Sequence, residues 1–308
     1  MIMKQHILVV GSSNTDMVVK TDRLPLPGET VLGQKFIMAA GGKGANQAVA
    51  ARRLGARVAF VAKVGDDVFG KQAVSGFKQE GIDTSGIVTD AGQPSGVALI
   101  TVDAQGENCI VVASGANANL LPADLSPANE LLQNASLVLM QLEIPLETVE
   151  YVADLASATR IPVILNPAPA RPLPDELLKK ISVFTPNQKE AEMLTGIKIE
   201  DRAGAERAAE ALAAKGIRTV IITLGADGAL VLEGGVFQHV AAPKVTAIDT
   251  TAAGDVFCGA LAAALSEQAP IKAAAEFACA AAALSVTKMG AQPSAPSRIE
   301  VDRFRARS

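Results

Sequence analysis

The sequence is poor in the residues that build metal and redox centres: its 308 residues hold three cysteines and two histidines. Cys109, Cys258 and Cys279 lack Cys-x-x-Cys spacing for zinc and are odd in number, so they cannot all pair, and a reducing cytoplasm is their simplest home. His6 and His239 stand apart, which excludes a histidine-based metal site. No Gly-x-Ser-x-Gly elbow marks a hydrolase nucleophile. Long apolar runs are missing too. The N-terminal stretch is apolar only at 7–10, too short for a signal peptide, and the alanine-rich tract 277–286 is broken by Ser285 and ends at Thr287 and Lys288. No membrane contact is expected. Positive charge is not in excess: 28 Lys and Arg against 32 Asp and Glu leave a net charge of −4, with no basic field to attract nucleic acid.

What is present belongs to a globular enzyme-sized chain. Hydrophobic residues make up 49% and charged residues 19%, which excludes a disordered chain, and 26 Gly and 16 Pro are too few for a collagen or a linker. A chain this long should expose ~12,000 Å² when folded and bury roughly 73% of its unfolded surface.

Runs at 7–10, 58–63, 137–140, 163–166, 183–185 and 219–223 are short and apolar on both faces, as in strands buried within a parallel sheet. Helical segments at 44–54, 69–80, 145–158, 188–194 and 203–215 lie between them. The alternation predicts an α/β fold with a doubly wound, mostly parallel sheet flanked by helices. Segments 15–40 and 93–114 break the pattern and read as an inserted antiparallel β sheet, with 97–102 and 109–113 forming a hairpin around 103–108. Its use is either a lid over a crevice or an extension of the main sheet edge.

Four polar groupings carry the candidate chemistry. In Gly41-Gly42-Lys43-Gly44-Ala45-Asn46-Gln47, glycines allow close backbone approach, while Lys43 and Asn46 offer donors; a plain tight turn with an exposed lysine is the alternative. The segment is neither a P-loop nor a Gly-x-Gly-x-x-Gly fingerprint. Asp249-Thr250-Thr251-Ala252-Ala253-Gly254-Asp255 leads into an apolar helix at 256–265, where free amides suit an anion; Asp255 is either a base for a hydroxyl proton or a complement to the helix dipole. Asn187 and Glu190 have the spacing of a capping box and equally the oxygens to orient hydrated magnesium. Asn14 and Asp16, after the first strand, either grip vicinal hydroxyls or form an Asx turn. Cys258 and Cys279 lie in apolar helical runs and read as core.

Taken in order, the chain resembles the phosphofructokinase-B-type carbohydrate kinase family over nearly its whole length. The likeness rests on 11–16, 41–47, Glu143, 166–171, 185–190, 223–225, 249–255 and 290–294. It implies ATP-dependent phosphorylation of ribose at its 5-hydroxyl, with Asp255 as general base and Ala252, Ala253 and Gly254 as the anion hole. Asn14, Asp16, Gly42, Lys43, Asn46 and Glu143 match the positions that bind sugar hydroxyls. Asn187, Glu190, Thr223, Gly225, Gly228, Gly254 and Cys279 fall on the ATP and Mg2+ side. Asp249, Thr251, Ser285, Lys288, Gly290 and Ser294 match a site for K+, several through main-chain carbonyls. The resemblance also implies a β lid that closes over the sugar and joins two copies in a homodimer. Ala252 stands where the family often has glycine, and Cys279 where relatives often carry a polar residue. A kinase for 2-deoxyribose or a nucleoside would use the same frame, and a non-catalytic sugar- or nucleotide-binding regulator is the alternative of a different class.

Overall fold

Strand β1 (His6–Val10) is apolar at four successive positions because both of its faces are covered: Ile7 and Val9 enter one hydrophobic core, Leu8 and Val10 another. The computed structural model describes residues 6–307; residues 1–5 of the N-terminal stretch read above as free of a signal lie outside the described residues. After β1 come β2 (Asn14–Lys20), β3 (Lys35–Gly41), α1 (Lys43–Arg53), β4 (Val58–Gly65), α2 (Val68–Gln79), β5 (Ile87–Asp90), β6 (Gly96–Val102) and β7 (Asn108–Ala113). The middle of the chain forms α3 (Asn129–Gln133), β8 (Ala135–Met140), α4 (Leu146–Ala158), β9 (Val163–Leu165), α5 (Asp175–Leu178), β10 (Val183–Phe184), α6 (Gln188–Thr195) and α7 (Arg202–Ala213). It closes with β11 (Thr219–Thr223), β12 (Ala229–Glu233), β13 (Val236–Val240), α8 (Ala253–Ser266), α9 (Ile271–Ser285) and α10 (Arg298–Arg305).

Nine strands form the main sheet in the order β13-β12-β11-β10-β9-β8-β1-β4-β5. Pairing is parallel from β5 to β11 and antiparallel at β11/β12 and β12/β13. Helices α1, α8 and α9 cover one face and α4 and α7 the other, each supplying small or branched residues to its core. The chain departs from β1 toward β4 on one side and returns to β8 on the other. That reversal makes the carboxyl ends of these strands the crevice where doubly wound sheets take ligands.

The segments 15–40 and 93–114 contribute to a separate four-stranded sheet, ordered β3-β2-β6-β7, that shares no strand with the main one. Both of its hairpins are antiparallel, but the central pair β2/β6 is parallel. An all-antiparallel reading missed this because each hairpin is local in sequence, whereas β2 and β6 meet only after both leave the main sheet in the same direction. One register row across it is Met38, Met17, Leu99 and Val111, and the row two residues on is Ala40, Thr15, Val97 and Ala113, so these share a face. Asn14 and Asp16 lie in the alternate rows and so on the opposite face. The accessible surface, 14,336 Å², exceeds the ~12,000 Å² usual for this mass, as a projecting sheet requires.

Helix α8 begins at Ala253 rather than at 256, which puts Gly254 and Asp255 inside its first turn. It packs directly on α1. A side chain at Gly259 would bring a Cβ within 2.7 Å of both the Gln47 carbonyl oxygen and the Ala50 Cβ, so only glycine permits this approach. Among the described residues no helix is long and apolar enough to cross a membrane.

Candidate active site

The functional side chains stand where the parallel strands end. Gly11 and Ser12 follow β1, Gln141 and Glu143 follow β8, Asn166 follows β9, Thr185 follows β10 and Thr223 closes β11. Three neighbouring cavities open there. The first, about 330 Å³, is lined by Asn14, Asn117, Glu143, Val112 of β7 and Arg171 among others. The second, about 190 Å³, holds Lys43, Asn166, Glu190, Ala252, Gly254 and Asp255. The third, about 590 Å³, is walled by Gly225, Gly228, Phe257, Cys279 and Val286 and shares Thr223, Thr250, Ala253 and Gly254 with the second. The first cavity mixes polar groups with apolar walls, the second is charged, and the third is larger and mostly apolar.

Gly42 caps α1 with φ 89°, a conformation that L side chains avoid, and a Cβ added there would lie 2.7 Å from the Asn14 amide nitrogen and 2.9 Å from the Ser13 α-carbon. This close approach delivers Lys43 and Asn46 to the cleft. The Glu143 carboxylate accepts from the Lys43 backbone N–H at 3.0 Å and from the Ser12 hydroxyl at 2.5 Å. Asn14 accepts from Asn117 Nδ2 at 2.8 Å, and Asn117 also bonds both backbone groups of Ser13. Asp16 lies beside Gly41, and its pKa is raised to about 6, first by burial and then by Glu143 and Asp255, against the pull of Lys43.

Asp255 is buried, and each carboxylate oxygen takes one amide donor: Asn46 Nδ2 at 2.9 Å and Gln47 Nε2 at 3.0 Å. Burial raises its pKa, while Lys43 and the two amides pull it down. Burial alone would lower the Lys43 pKa, but Asp255, Glu143 and Glu190 outweigh it and raise it, so the ammonium stays charged. Among the described residues Asn46 Oδ1 is a buried acceptor with no hydrogen-bond partner. In α8, the Gly254 and Asp255 N–H groups precede the first intrahelical bond, whereas the Ala253 N–H is already donated to the Thr250 carbonyl at 3.2 Å. Ala252 holds φ 58°, a left-handed turn into the helix. The arrangement pairs a carboxylate with helix-end donors and a lysine, the equipment for deprotonating an alcohol beside a migrating anion.

The Asn187–Glu190 pair makes both bonds of its capping box, at 2.8 and 2.9 Å, and both residues also line the charged cavity, so the two readings coexist. Glu190 has its pKa raised by burial, against Asn187 and Lys43. Thr223, Gly225, Gly228 and Cys279 all reach the large cavity, and burial pushes the Cys279 thiol up to about 12. Cys258, read as core, also lines the charged cavity and lies 3.3 Å from the Thr185 hydroxyl.

The set Asp249, Thr251, Ser285, Lys288, Gly290 and Ser294 falls outside these cavities: Ser285 ends α9, and the others lie in the connections before α8 and after α9, which hydrogen-bond to each other. Asp249 accepts from Thr251 N–H at 2.9 Å and Gly290 N–H at 2.8 Å, and the Ile248 and Asp249 N–H groups donate to the Val286 carbonyl. Burial works to raise the Asp249 pKa, but these hydrogen bonds prevail and hold it below the usual range. The Lys288 ammonium is turned away to Glu300 at 2.8 Å, leaving only its main chain for the loop. Ser285 and Ser294 hydroxyls donate to Ala282 and Ala291 carbonyls. Among the described residues no group of three or more His, Cys, Asp or Glu could hold a metal ion.

Residues 4–298 match the pfkB family carbohydrate kinase pattern. The chain belongs to this family. Among pfkB-family relatives, a ribokinase from Haemophilus influenzae is 47% identical over 302 residues, covering 98% of this chain and 99% of that protein. A deoxyribokinase from Salmonella typhi is 39% identical over 292 residues, covering 94% of this chain and 95% of that one. The solved Arabidopsis thaliana ribokinase, complexed with ribose and ATP, superposes with a TM-score of 0.92 at 33% identity and covers 98% of this chain and 99% of its own.

Proposed function

We propose that this pfkB-family kinase transfers the γ-phosphate of ATP to the 5-hydroxyl of ribose. The observation that carries the reading is the buried Asp255 carboxylate at the mouth of α8, between a hydroxyl-binding pocket and a larger apolar one. Full-length similarity to ribokinases, one of them solved with ribose and ATP, supports the substrate pair.

Asn14, Asp16, Glu143, Lys43, Gly42 and Asn46 hold the sugar, with the unpartnered Asn46 Oδ1 accepting from a hydroxyl. Asp255 takes the proton as the sugar oxygen attacks the γ-phosphorus; the new O–P bond forms, the bond to the bridging oxygen breaks, and ADP leaves. Gly254 and Asp255 N–H groups and Lys43 meet the transferring phosphoryl charge, with Ala252 and Ala253 shaping the turn. Thr223, Gly225, Gly228 and Cys279 receive the nucleotide. The small sheet, with Asn14 and Asp16 on its inner face, closes the pocket and excludes water.

Asn187 and Glu190 suit a hydrated magnesium ion: Glu190 spends one oxygen on its capping bond and offers the other to the cavity. When bound, that ion neutralises charge on the phosphates. Asp249, ionised and free of the Lys288 ammonium, with oxygens of Thr251, Ser285, Lys288, Gly290 and Ser294, suits K+ beside the anion hole. A second copy covers the outer face of the small sheet, where Phe36, Met38, Leu99 and Val111 are each about half exposed or more. The free, exposed Cys109 on the same sheet fits a cytoplasmic site.

The test is ADP release with ribose, 2-deoxyribose and adenosine in parallel, with product phosphorylation located by NMR. Highest kcat/KM for ribose with phosphate on O5 supports the proposal; a preference for 2-deoxyribose or adenosine replaces the substrate, and no ADP with any acceptor overturns the kinase reading.

A further inference from the structure

Beneath Asp255 lies a chain of buried amides whose central member, Gln47, lines none of the three cavities at the strand ends. Gln47 is fully buried, and its Nε2 donates to both Asp255 Oδ1 at 3.0 Å and Asn166 Oδ1 at 3.1 Å. Its Oε1 accepts from Gln141 Nε2 at 2.6 Å. Asn166 Nδ2 in turn donates to the Thr185 carbonyl at 2.9 Å. The five residues come from the ends of β8, β9 and β10 and from α1 and α8.

The polarity of this chain follows from one fixed point. The Thr185 carbonyl can only accept, so Asn166 must present its NH2 there and its oxygen to Gln47. Gln47 must then present its own NH2, whose second hydrogen meets Asp255, and its oxygen must meet Gln141. A donor therefore faces the carboxylate whatever the sugar pocket contains. We infer that Gln47 is the positioning residue for Asp255: locked by Asn166 and Gln141, its amide orients the carboxylate and favours the ionised, acceptor-only form that can take a hydroxyl proton. Because Gln47 is fully buried and lines none of the three cavities at the strand ends, it acts through Asp255, and the inference rests on Asp255 being the base in the proposed reaction.

The other groups that bear on Asp255 are Lys43 from α1, Glu143 after β8, Asp16 from β2, Glu190 from α6 and Cys258 from α8. None of them is bonded to Gln47, so its replacement leaves these charges in place. Gln47→Met keeps much of the size and removes the donor without adding a charge or a titratable group; Gln141→Leu keeps Gln47 and releases its orientation.

The experiment measures kcat, the dissociation constants of ribose and ATP, the pH profile of kcat and the unfolding midpoint for both variants, with Asp255→Asn alongside. A charge-assisted hydrogen bond is strong enough that Gln47→Met should lower kcat by about 10²-fold and move the acid limb up by about one pH unit. Both dissociation constants should change less than about threefold, the bond being outside either binding pocket. Gln141→Leu should act in the same direction by roughly 3- to 10-fold. If Gln47→Met does not fold, Gln141→Leu decides alone. An unmoved acid limb with kcat near the parent's, or a loss confined to ligand affinity, overturns the positioning role while an inactive Asp255→Asn leaves the base intact. An active Asp255→Asn overturns both.

Discussion

Gly259→Ala is the substitution by which helix packing should reach the chemistry. Gly259 lies one turn after Asp255 on the same helix, and an added methyl would sit 2.7 Å from the Ala50 Cβ and the Gln47 carbonyl oxygen and 2.9 Å from the Ala51 nitrogen. Carbon contacts relax near 3.5 Å, so α8 must withdraw from α1 by ~0.8 Å. Asp255 would move with it, away from the Asn46 and Gln47 amides that hold it at 2.9 and 3.0 Å. A displacement of about an ångström at a reacting group lowers kcat by roughly 10²-fold, and overpacking costs about 1–3 kcal/mol of stability. The control is Gly76→Ala in α2, where an added Cβ meets nothing within 4 Å. That change should stabilise by about 0.5–1 kcal/mol, as alanine does inside helices, with activity unchanged. Denaturant midpoints and steady-state ADP release measure both; a Gly259→Ala enzyme with the parent's kcat would refute the coupling of helix packing to Asp255.

Asp16, with its folded pKa near 6 against an ordinary 3.8, binds its proton more tightly when folded, so its contribution to stability is lost as pH rises from about 4 to 6. Asp16→Asn should flatten the urea midpoint over that window and make the protein at least as stable at pH 8, while lowering kcat/KM for ribose by about 10-fold or more; an unchanged pH dependence contradicts the cause. Enzyme prepared in Tris should regain rate on titration with K+, and Asp249→Asn should need more of it, whereas a rate indifferent to K+ removes that ion. Leu99→Glu should shift sedimentation from dimer to monomer by placing a charge in the middle of the outer face of the small sheet; an unaltered mass for a dimeric parent places the contact elsewhere.

Much of the frame was legible because burial writes itself into composition. β1, β8 and β11 are apolar at consecutive positions, and such runs arise only where both faces are covered. β5 was not legible: it is four residues at the sheet edge, Ile-Val-Thr-Asp, with no apolar run to mark it. β12 and β13 escaped because their antiparallel pairing breaks the β-α alternation on which the reading depended.

At the site, Asp255, Lys43, Asn14 and Glu190 stood out because charged or polar residues beside glycines and strand ends have few structural uses. Gln47, Gln141, Ser12 and Asn117 did not, since a polar side chain reveals its role only through its partner. Gln47 finds Asp255 across 208 positions and Asn117 finds Asn14 across 103, separations that no local pattern encodes. The Lys288 ammonium shows the opposite limit, its pairing with Glu300 being decided by the direction of α10.

The most direct measurement is the rate of ribose 5-phosphate formation by Asp255→Asn at saturating ribose and ATP. Loss of a general base lowers turnover by about 10²- to 10⁴-fold, and that fall, with the unfolding midpoint retained, is the expected result. Turnover within a few-fold of the parent would contradict the account.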